Sequence, residues 1–338
     1  MNLETLAQLA GVSVGTVSKA FSGSGEISEK TRERIFTIAR ENGCFDKYNK
    51  NRFSKKVIAV LCPEVTSAYY TAILSLLEKE ITAHGGICLV SVTSFLPERE
   101  KELFDYYASY CRADGVILVN QCARINNVVR TPAVSLMCNT RASQSCNIDR
   151  IDSDMSASIH EAVAYLKSLG AERIGFVGEK KTSSKLTLFK KAMLAEHLNI
   201  DEHFIYISEH RFEKAGEDCA NAWLAADILP QAVLAAYDYI AIGFIQRLKT
   251  VGLSVPQELS VIGMDDIPLA AYFDPPLSSI RSNTDEACRM AVELILKKID
   301  NQYFSTRQRL SVPSELIVRG SCTKISSAQI KELPTHEA

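Results

Sequence analysis

The sequence predicts an all-α head at the N-terminus, followed by a larger α/β body of two Rossmann-like lobes. Three observations lead to this fold class. Helix-capping residues alternate with short apolar stretches over residues 1–45, apolar runs alternate with helical stretches from residue 57 onward, and the charge differs between the two parts. With 338 residues, of which 46% are hydrophobic, the chain is long enough for two domains with sizeable cores.

Charge is distributed unevenly along the chain. Residues 1–56 contain ten Lys and Arg against six Asp and Glu, a net charge of +4, whereas the remainder carries 28 against 34, a net charge of −6. A basic head on an acidic body is typical of a protein in which one end meets phosphate groups. No apolar run reaches the ~18–20 residues of a membrane helix. The stretch MNLETLAQLAG also lacks the basic leader and cleavage site of a signal peptide.

The ten cysteines are scattered through apolar runs, such as residues 87–90 and 136–138. None forms a Cys-x-x-Cys motif, and none pairs with a histidine at the spacing of a zinc site. We therefore expect reduced, buried thiols in a cytoplasmic protein, with no metal, no cofactor and no membrane association. A disulfide framework is the alternative interpretation.

Three short helices are predicted in residues 3–45. Asn2, Ser13 and Ser28 are placed to accept hydrogen bonds from the first turns of these helices. Gly11 allows the tight reversal between the first two helices, and Gly43 ends the third. The expected inner faces are Leu3, Leu6, Ala7, Leu9 and Ala10 in the first helix, Val17, Ala20 and Phe21 in the second (14–21), and Ile35, Ile38 and Ala39 in the third.

The spacing of Ala7, Gly11 and Val17 is typical of two helices that cross at a close angle with a glycine at the corner. A small three-helix bundle without a DNA role fits the same spacing. The outward positions of the second helix are small, hydroxyl-bearing or cationic, as a surface facing a DNA groove requires: Gly15, Thr16, Ser18 and Lys19. These positions and the basic charge favour a DNA-binding helix-turn-helix.

The N-terminal segment resembles the DNA-binding head of the LacI/GalR, or lactose-repressor, family. The matching motifs are Leu6-Ala7-Gln8-Leu9-Ala10-Gly11-Val12-Ser13-x-x-Thr16-Val17-Ser18-Lys19 and Ile27-Ser28-x-Lys30-Thr31-Arg32-x-Arg34-Ile35. The resemblance implies that Val14 and Gly15 read base edges in double-stranded DNA. It also implies that Thr16, Ser18 and Lys19 contact phosphates or a base edge at the start of the major groove.

The chemistry of these positions predicts modest base specificity. Val14 offers only apolar contact and Gly15 almost none, while Lys19 replaces the family's usual Arg and loses its bidentate recognition of guanine. Val14 alternatively belongs to the core, because it lies one turn before Val17.

Residues 46–56 are predicted to form a polar, basic hinge or linker, and a solvated tether is the alternative. In the family this segment forms a short hinge helix on DNA and wedges a leucine into the minor groove. The resemblance places Phe53 at the wedge position and Arg52 at the preceding basic position. The segment departs from the family pattern, because Asp46, Lys47 and Lys50 stand at its Pro-Asn and Ala positions.

From residue 57 the pattern alternates between buried strands and helices. Strands are predicted at 57–61, 87–92, 116–119, 133–138, 174–177, 204–207, 233–236, 260–264 and 315–319. Helices are predicted at 68–84, 98–112, 154–168, 184–197, 213–228, 238–250 and 284–300. Repeated βαβ units predict parallel sheets, and their number suits two lobes with a ligand cleft between them.

An enzymatic function is not predicted. The first strand leads into Cys62-Pro63-Glu64 rather than a Gly-x-Gly-x-x-Gly turn, and no Walker loop or nucleophile elbow occurs. The histidines stand singly, without a cluster of metal ligands.

The body, residues 57 to 322, resembles the same family and its periplasmic-binding-protein-like fold. The matching segments are 170–178, 238–243, 255–268 and 275–280. The implied domains are 1–45 (helix-turn-helix), 46–56 (hinge), 57–323 (bilobal body) and 324–338 (polar tail). Lobe 1 takes about 57–155 and 282–311, and lobe 2 about 156–281 and 312–323.

The resemblance also implies a set of effector-binding residues: Tyr69, Tyr70, Asp152, Lys185, Phe212, Tyr237 and Asp265. Aromatic side chains would stack on the effector and carboxylates would bind its hydroxyls, with helix packing and solvated loops as the alternatives. Lys185 replaces an anchoring Arg and Tyr237 replaces an Asn. A lysine cannot reproduce a forked guanidinium, so the ligand is bound differently from the family's sugars, or the cleft is degenerate.

The sequence therefore predicts a DNA-binding transcriptional regulator, most often a repressor in this family, that binds a near-palindromic operator as a homodimer through lobe 1. A sugar-like or related metabolite in the interlobe cleft would modulate its operator affinity. One rival is a DNA-binding protein whose body is a ligand-free dimerisation scaffold. Another is a solute-binding receptor, which would need an export signal and has no use for the head.

Overall fold

The computed structural model describes residues 1–22, 25–48, 55–111, 113–127, 131–137, 147–300 and 306–325. The chain divides into two compact units, the head Met1–Lys56 grouped with Gly85–Ile87, and the body Val57–His84 with Cys88–Ala338. The predictions for Arg52 and Phe53 fall outside the described residues.

Four helices form the head: α1 (Leu3–Ala10), α2 (Val14–Phe21), α3 (Glu29–Glu41) and α4 (Phe45–Tyr48). The three predicted N-caps are confirmed, because Asn2, Ser13 and Ser28 each accept a hydrogen bond from the backbone N–H three residues on, at 2.8, 3.0 and 3.3 Å. Gly11 adopts a left-handed conformation (φ 62°), as the predicted reversal requires. The first 21 residues thus fold from local signals.

The head core differs from the prediction at three places. Leu9 is 53% exposed, because it lies on the outer side of α1, and Ile38 is only half-buried. Residues 45–48 form α4 instead of belonging to an unstructured tether. The ring of Tyr48 packs against Phe21 with 6.0 Å between centroids, so the aromatic core extends past the predicted end of the head at residue 45.

The body is built on one continuous run of 11 strands in the order β2-β1-β3-β4-β5-β11-β10-β9-β8-β6-β7. The strands are β1 (Val57–Cys62), β2 (Ile87–Val92), β3 (Gly115–Val119), β4 (Ala133–Leu136), β5 (Asp149–Asp154), β6 (Ile174–Glu179), β7 (Ile205–Ser208), β8 (Ala232–Ala235), β9 (Ser260–Met264), β10 (Ser278–Ser282) and β11 (Arg309–Ile317). Of these, β5 and β10 were not predicted, and β11 begins earlier than expected.

Helices cover the faces of this sheet. They are α5 (Ala68–Ala83), α6 (Pro97–Asp105), α7 (Met155–Ser168), α8 (Ser183–Ala195), α9 (Phe212–Ala225), α10 (Asp238–Thr250), α11 (Pro268–Tyr272) and α12 (Thr284–Ile299). The predicted helix 98–112 ends as a π-helical turn at Tyr106–Tyr110, and α11 was not predicted.

Two lobes share β11. Residues 309–313 pair in parallel with β5 of lobe 1, whereas residues 314–317 pair antiparallel with β10 of lobe 2. The chain also passes between the lobes from β5 to α7 and from β10 to α12. The predicted parallel ladders are otherwise confirmed in both lobes, for example β1 with β3 and β6 with β8. This arrangement brings carboxyl ends of strands from both lobes to one cleft.

No helix in the described part of the chain is long and apolar enough to span a membrane. The cysteines that the structure describes are free thiols, and most are buried or half-buried, whereas Cys111 is exposed. The described residues contain no group of three or more His, Cys, Asp or Glu able to hold a metal ion.

Candidate functional site

One edge of α2 is presented to solvent while the other packs into the head. Val17, Ala20 and Phe21 are at most 4% exposed. Because the inner positions are filled by these residues, Val14 is left 40% exposed, which favours the surface interpretation over the core one. Gly15, Ser18 and Lys19 are exposed and Thr16 is half-buried, so the proposed DNA-contacting positions within the described residues share one accessible edge: Val14, Gly15, Thr16, Ser18 and Lys19.

Thr16 and Lys19 already have partners within the head. The Thr16 hydroxyl lies 2.8 Å from the Ser13 hydroxyl, which also caps α2. The Lys19 ammonium pairs with the carboxylate of Glu26, and both side chains are largely exposed. A phosphate approaching Lys19 therefore competes with Glu26.

The second candidate site is a cavity of about 390 Å³ between the two lobes of the body. Residues following β1, β2, β3 and β5 line it from lobe 1, and residues following β6, β7, β8 and β9 line it from lobe 2. Six of the seven predicted effector-binding residues line this cavity: Tyr69, Tyr70, Lys185, Phe212, Tyr237 and Asp265. This is the position at which open α/β sheets bind small ligands.

Asp152 is the exception, because it is not among the residues that line the cavity. Asp152 lies on β5, where successive side chains point to opposite faces of the sheet. Its carboxylate pairs with Arg150, two residues away on the same face. Ser153 takes the cavity-facing position instead. The Ser153 residue is 8% exposed, and its hydroxyl makes no hydrogen bond within the described residues.

Lys185 is held in the cavity wall by several groups at once. Its ammonium donates to the carbonyl oxygen of Ala236 at 2.7 Å, lies 3.3 Å from an oxygen of Asp265 and sits 4.5 Å from the centre of the Tyr237 ring. Burial raises the pKa of the Asp265 carboxyl, and the nearby Lys185 ammonium opposes that rise. Lys185 thus anchors protein groups where the family's Arg would reach a ligand.

Four tyrosines contribute hydroxyl groups to the cavity, beside five serines. The Tyr70 hydroxyl accepts a hydrogen bond from the Asn120 amide at 2.8 Å, and the Tyr237 hydroxyl donates to Glu179 at 3.3 Å. Burial raises the pKa values of Tyr69, Tyr70 and Tyr237, so these hydroxyls stay protonated and can donate.

Arg211 was not predicted, and it contacts groups from both sides of the cavity. Its guanidinium forms two hydrogen bonds to Glu64, at 2.7 and 3.3 Å, and lies 3.2 Å from Glu179. The guanidinium carbon is 4.3 Å from the centre of the Phe212 ring and 5.3 Å from that of Phe95. Glu64, Phe95, Asn120, Ser153 and Arg211 were all missed, because none of them stands in a motif.

A model of the bacterial regulatory proteins of the lacI family matches residues 2–43, which include the capped α1–α2 pair with its exposed edge. This part of the chain is therefore similar to the heads of the lacI family of regulators. A model of the periplasmic binding protein-like domain matches residues 163–322, most of them in lobe 2. The protein is accordingly a DNA-binding transcriptional regulator with a periplasmic-binding-protein-like body, and not an enzyme.

Curated relatives match this chain over nearly its whole length. The transcriptional repressor CytR of Escherichia coli K12 is 28% identical over 330 residues, covering 94% of this chain and 95% of CytR. The transcriptional repressor PurR of Vibrio vulnificus is 26% identical, with 96% and 99% covered. A lac repressor dimer solved with operator and the anti-inducer ONPF superposes with a TM-score of 0.70 at 20% identity over 96% of this chain and 99% of that one, which supports the fold.

Proposed function

We propose that the protein is a cytoplasmic transcriptional repressor that binds a near-palindromic operator as a homodimer and responds to a small molecule in the interlobe cavity. The observation that carries this proposal is the exposed edge of α2, Val14 to Lys19, on a fully capped helix pair. A helix presented in this way enters the major groove with its N-terminal residues on base edges.

The α2 edge divides into two kinds of contact. Ser18 and Lys19 offer a hydroxyl and an ammonium to phosphates, which give affinity without sequence preference. Val14 offers its methyl groups to a thymine methyl, while Gly15 allows close approach of the backbone. A dimer doubles this short contact surface, and two-fold symmetry matches a palindromic site.

The cavity supports a small, hydroxyl-rich or flat effector. Aromatic rings from both lobes line it, and a volume of about 390 Å³ suits a sugar or a similar metabolite. The Ser153 hydroxyl, which makes no hydrogen bond within the described residues, offers a polar contact to such a molecule. The lac repressor in its operator-bound form holds a small molecule, which is consistent with this role for the cleft.

The DNA-binding part is tested by footprinting the chain on genomic DNA and then measuring affinity for the recovered site. Ser18→Ala should weaken binding to all sites about equally, whereas Val14→Ala should change the ranking of sites that differ at one base. Thr37→Ala is the matched control, since Thr37 is exposed on α3 and is not one of the proposed contact residues. No preference for any sequence over random DNA, even at low salt, would contradict the proposal.

The effector part is tested separately by thermal-shift screening of the full chain with sugars, sugar phosphates, nucleobases and nucleosides. A compound that binds should stabilise the body and change operator affinity. The substitution Ser153→Ala should weaken binding of that compound. If no compound binds while operator binding is intact, the body is a dimerisation scaffold without a working cleft. The contacts of Arg211 across the cavity keep that second candidate open.

A further inference from the structure

Arg211 connects the two lobes of the body directly. It lies between β7 and α9 in lobe 2, whereas Glu64 follows β1 in lobe 1. The guanidinium meets both carboxylate oxygens of Glu64, at 2.7 and 3.3 Å, in the forked geometry that only arginine provides. The Glu64 side chain is 12% exposed and that of Arg211 is 29% exposed, so water screens this pair only in part.

Lobe 2 holds the same guanidinium in place. The Glu179 carboxylate, at the end of β6, is 3% exposed and lies 3.2 Å from the Arg211 Nε. Because Glu179 and Arg211 belong to the same lobe, their contact fixes the orientation of the guanidinium but does not connect the two lobes. The remaining donors are thereby directed toward Glu64.

Two aromatic rings flank the guanidinium, and both come from strained backbone. Phe95 of lobe 1 (φ 59°) and Phe212 of lobe 2 (φ 57°) adopt left-handed conformations that residues with a Cβ normally avoid. Strain of this kind persists where the surrounding structure uses it. The Lys181 ammonium of lobe 2 lies 3.4 Å from the centre of the Phe95 ring. This is a second cation–π contact between the lobes.

A third interlobe contact lies nearby. The hydroxyl of Tyr239, at the start of α10, accepts a hydrogen bond of 3.4 Å from the backbone N–H of Ala68 at the start of α5. All these bonds join groups of the chain itself, so they can form whether or not an effector is bound. We propose that Arg211 is an internal clamp that favours the closed arrangement of the two lobes by binding Glu64 across the cleft.

The clamp has a consequence for regulation. An effector changes DNA affinity only by its differential binding to the open and closed arrangements. A chain that supplies its own closing contacts has a larger population of the closed arrangement before any effector binds. An effector that favours closure can then increase that population only by a smaller amount. This inference concerns lobe closure alone and stands whether or not the operator or the effector is found.

Lobe closure is measured by pulsed electron paramagnetic resonance on the full chain. Spin labels are attached to p-acetylphenylalanine at Glu102 on α6 and Lys191 on α8, which are exposed positions in lobe 1 and lobe 2. Labelled chains are diluted with unlabelled chains, so that intermolecular distances do not contribute. The labelled chain without a substitution at Arg211 or Glu64 should give a narrow distribution of distances between the two labels.

Arg211→Ala and Glu64→Gln should both broaden and lengthen this distribution, because each removes one side of the clamp. Glu64→Gln keeps the size of the side chain and guards against a folding defect in Arg211→Ala. Lys180→Ala is the matched control, since Lys180 pairs with Glu209 inside lobe 2 and should leave the distribution unchanged. Unchanged distances in both clamp variants, or equal opening in the control, would overturn the proposal.

Discussion

Lys19 of α2 is paired with Glu26, seven residues further along the chain, so the head neutralises an exposed cation on the edge that we propose for DNA binding. The two side chains are 54% and 70% exposed, and an exposed pair of this kind is weak and easily broken by salt. A backbone phosphate can therefore replace Glu26, but part of the gain is lost in breaking the ion pair.

Glu26→Gln should raise operator affinity about two- to fivefold, because Lys19 no longer has to leave a carboxylate. It should also steepen the dependence of the logarithm of affinity on that of salt concentration, by less than the ~0.9 of a whole added phosphate contact, because no freed carboxylate takes up a cation when Lys19 meets DNA. Titrations at several salt concentrations measure both. Glu41→Gln changes the charge of the head equally, at the far end of α3, and should leave the slope unchanged. Equal effects of the two variants would contradict the contact.

The corner between α1 and α2 gives a second prediction. Gly11 has a φ of 62°, where a Cβ costs about 1–2 kcal/mol, while the space around it is open. Gly11→Ala should therefore speed hydrogen exchange in α1 and α3 of the full chain roughly five- to thirtyfold. Gly15→Ala is the matched control, because Gly15 is helical and its nearest Cβ contact would be an ordinary 3.6 Å, so the helix should gain up to about 0.5 kcal/mol. Slower exchange in Gly11→Ala would be inconsistent with this account.

Local signals explain why the head could be predicted almost residue by residue. A cap such as Ser13 and a reversal such as Gly11 act within a few residues, so the sequence carries them directly. The strands β5 and β10 were missed for the opposite reason. Asp149–Asp154 and Ser278–Ser282 alternate polar residues, and they become strands because neighbours distant in sequence pair with them.

The cleft shows the same division. The family motifs led to Tyr69, Lys185 and Asp265, and the structure brings these to one cavity. Asp152 does not line this cavity while the adjacent Ser153 does, because neighbouring residues on a strand face opposite sides of the sheet. The pairing of Arg211 with Glu64 depends on how the two lobes meet, and 147 residues separate the partners, so no local pattern indicates it.

Asp238 gives a prediction about pH. Burial raises the pKa of this carboxyl well above its ordinary value, the charge of Asp265 adds to the rise, and hydrogen bonds from the Ser279 hydroxyl (2.5 Å) and the Ile267 N–H (2.8 Å) only partly oppose it. The folded state therefore binds the proton more tightly than the unfolded state. Its contribution to stability is full below the ordinary pKa and falls as pH rises toward the folded pKa, by at most ~1.4 kcal/mol per pH unit.

Asp238→Asn should destabilise the body most at about pH 4, and its deficit relative to the native chain should shrink as pH rises to 7. Urea unfolding at each pH measures the free energies. Asp218→Asn is the opposite case: burial acts to raise the Asp218 pKa, but hydrogen bonds from Lys214, His210 and Ser208 outweigh it and lower the pKa. The loss in free energy of unfolding that Asp218→Asn causes, relative to the native chain, should therefore grow as pH rises. If the stability losses of the two variants changed with pH in the same direction, the opposite pKa shifts of Asp238 and Asp218 would be refuted.

The contact between α9 and α10 gives the last prediction. A Cβ at Gly243 would lie 1.9 Å from the carbonyl oxygen of Glu213, and one at Gly216 would lie 2.0 Å from that of Ile240, so the two backbones touch where both glycines stand. Helix propensity alone would favour alanine by about 1 kcal/mol. Overpacking should reverse that sign, so Gly243→Ala should destabilise the body by about 2–3 kcal/mol. Fluorescence of Trp223, the single tryptophan, follows the unfolding in urea, because it is buried on α9 with its ring 5.7 Å from that of Phe244.

Glu213→Ala separates this close approach from a general effect of alanine on the helix pair. The Glu213 side chain is exposed, and its carbonyl oxygen stays in place when the side chain is shortened, so stability should change by less than about 0.5 kcal/mol. If Gly243→Ala proves as stable as the native chain, α9 and α10 have room to move apart. Helix α9 begins at Phe212, next to Arg211, and α10 begins beside Tyr237. Movement of the two helices relative to each other would therefore also make the lobe 2 wall of the cavity less rigid.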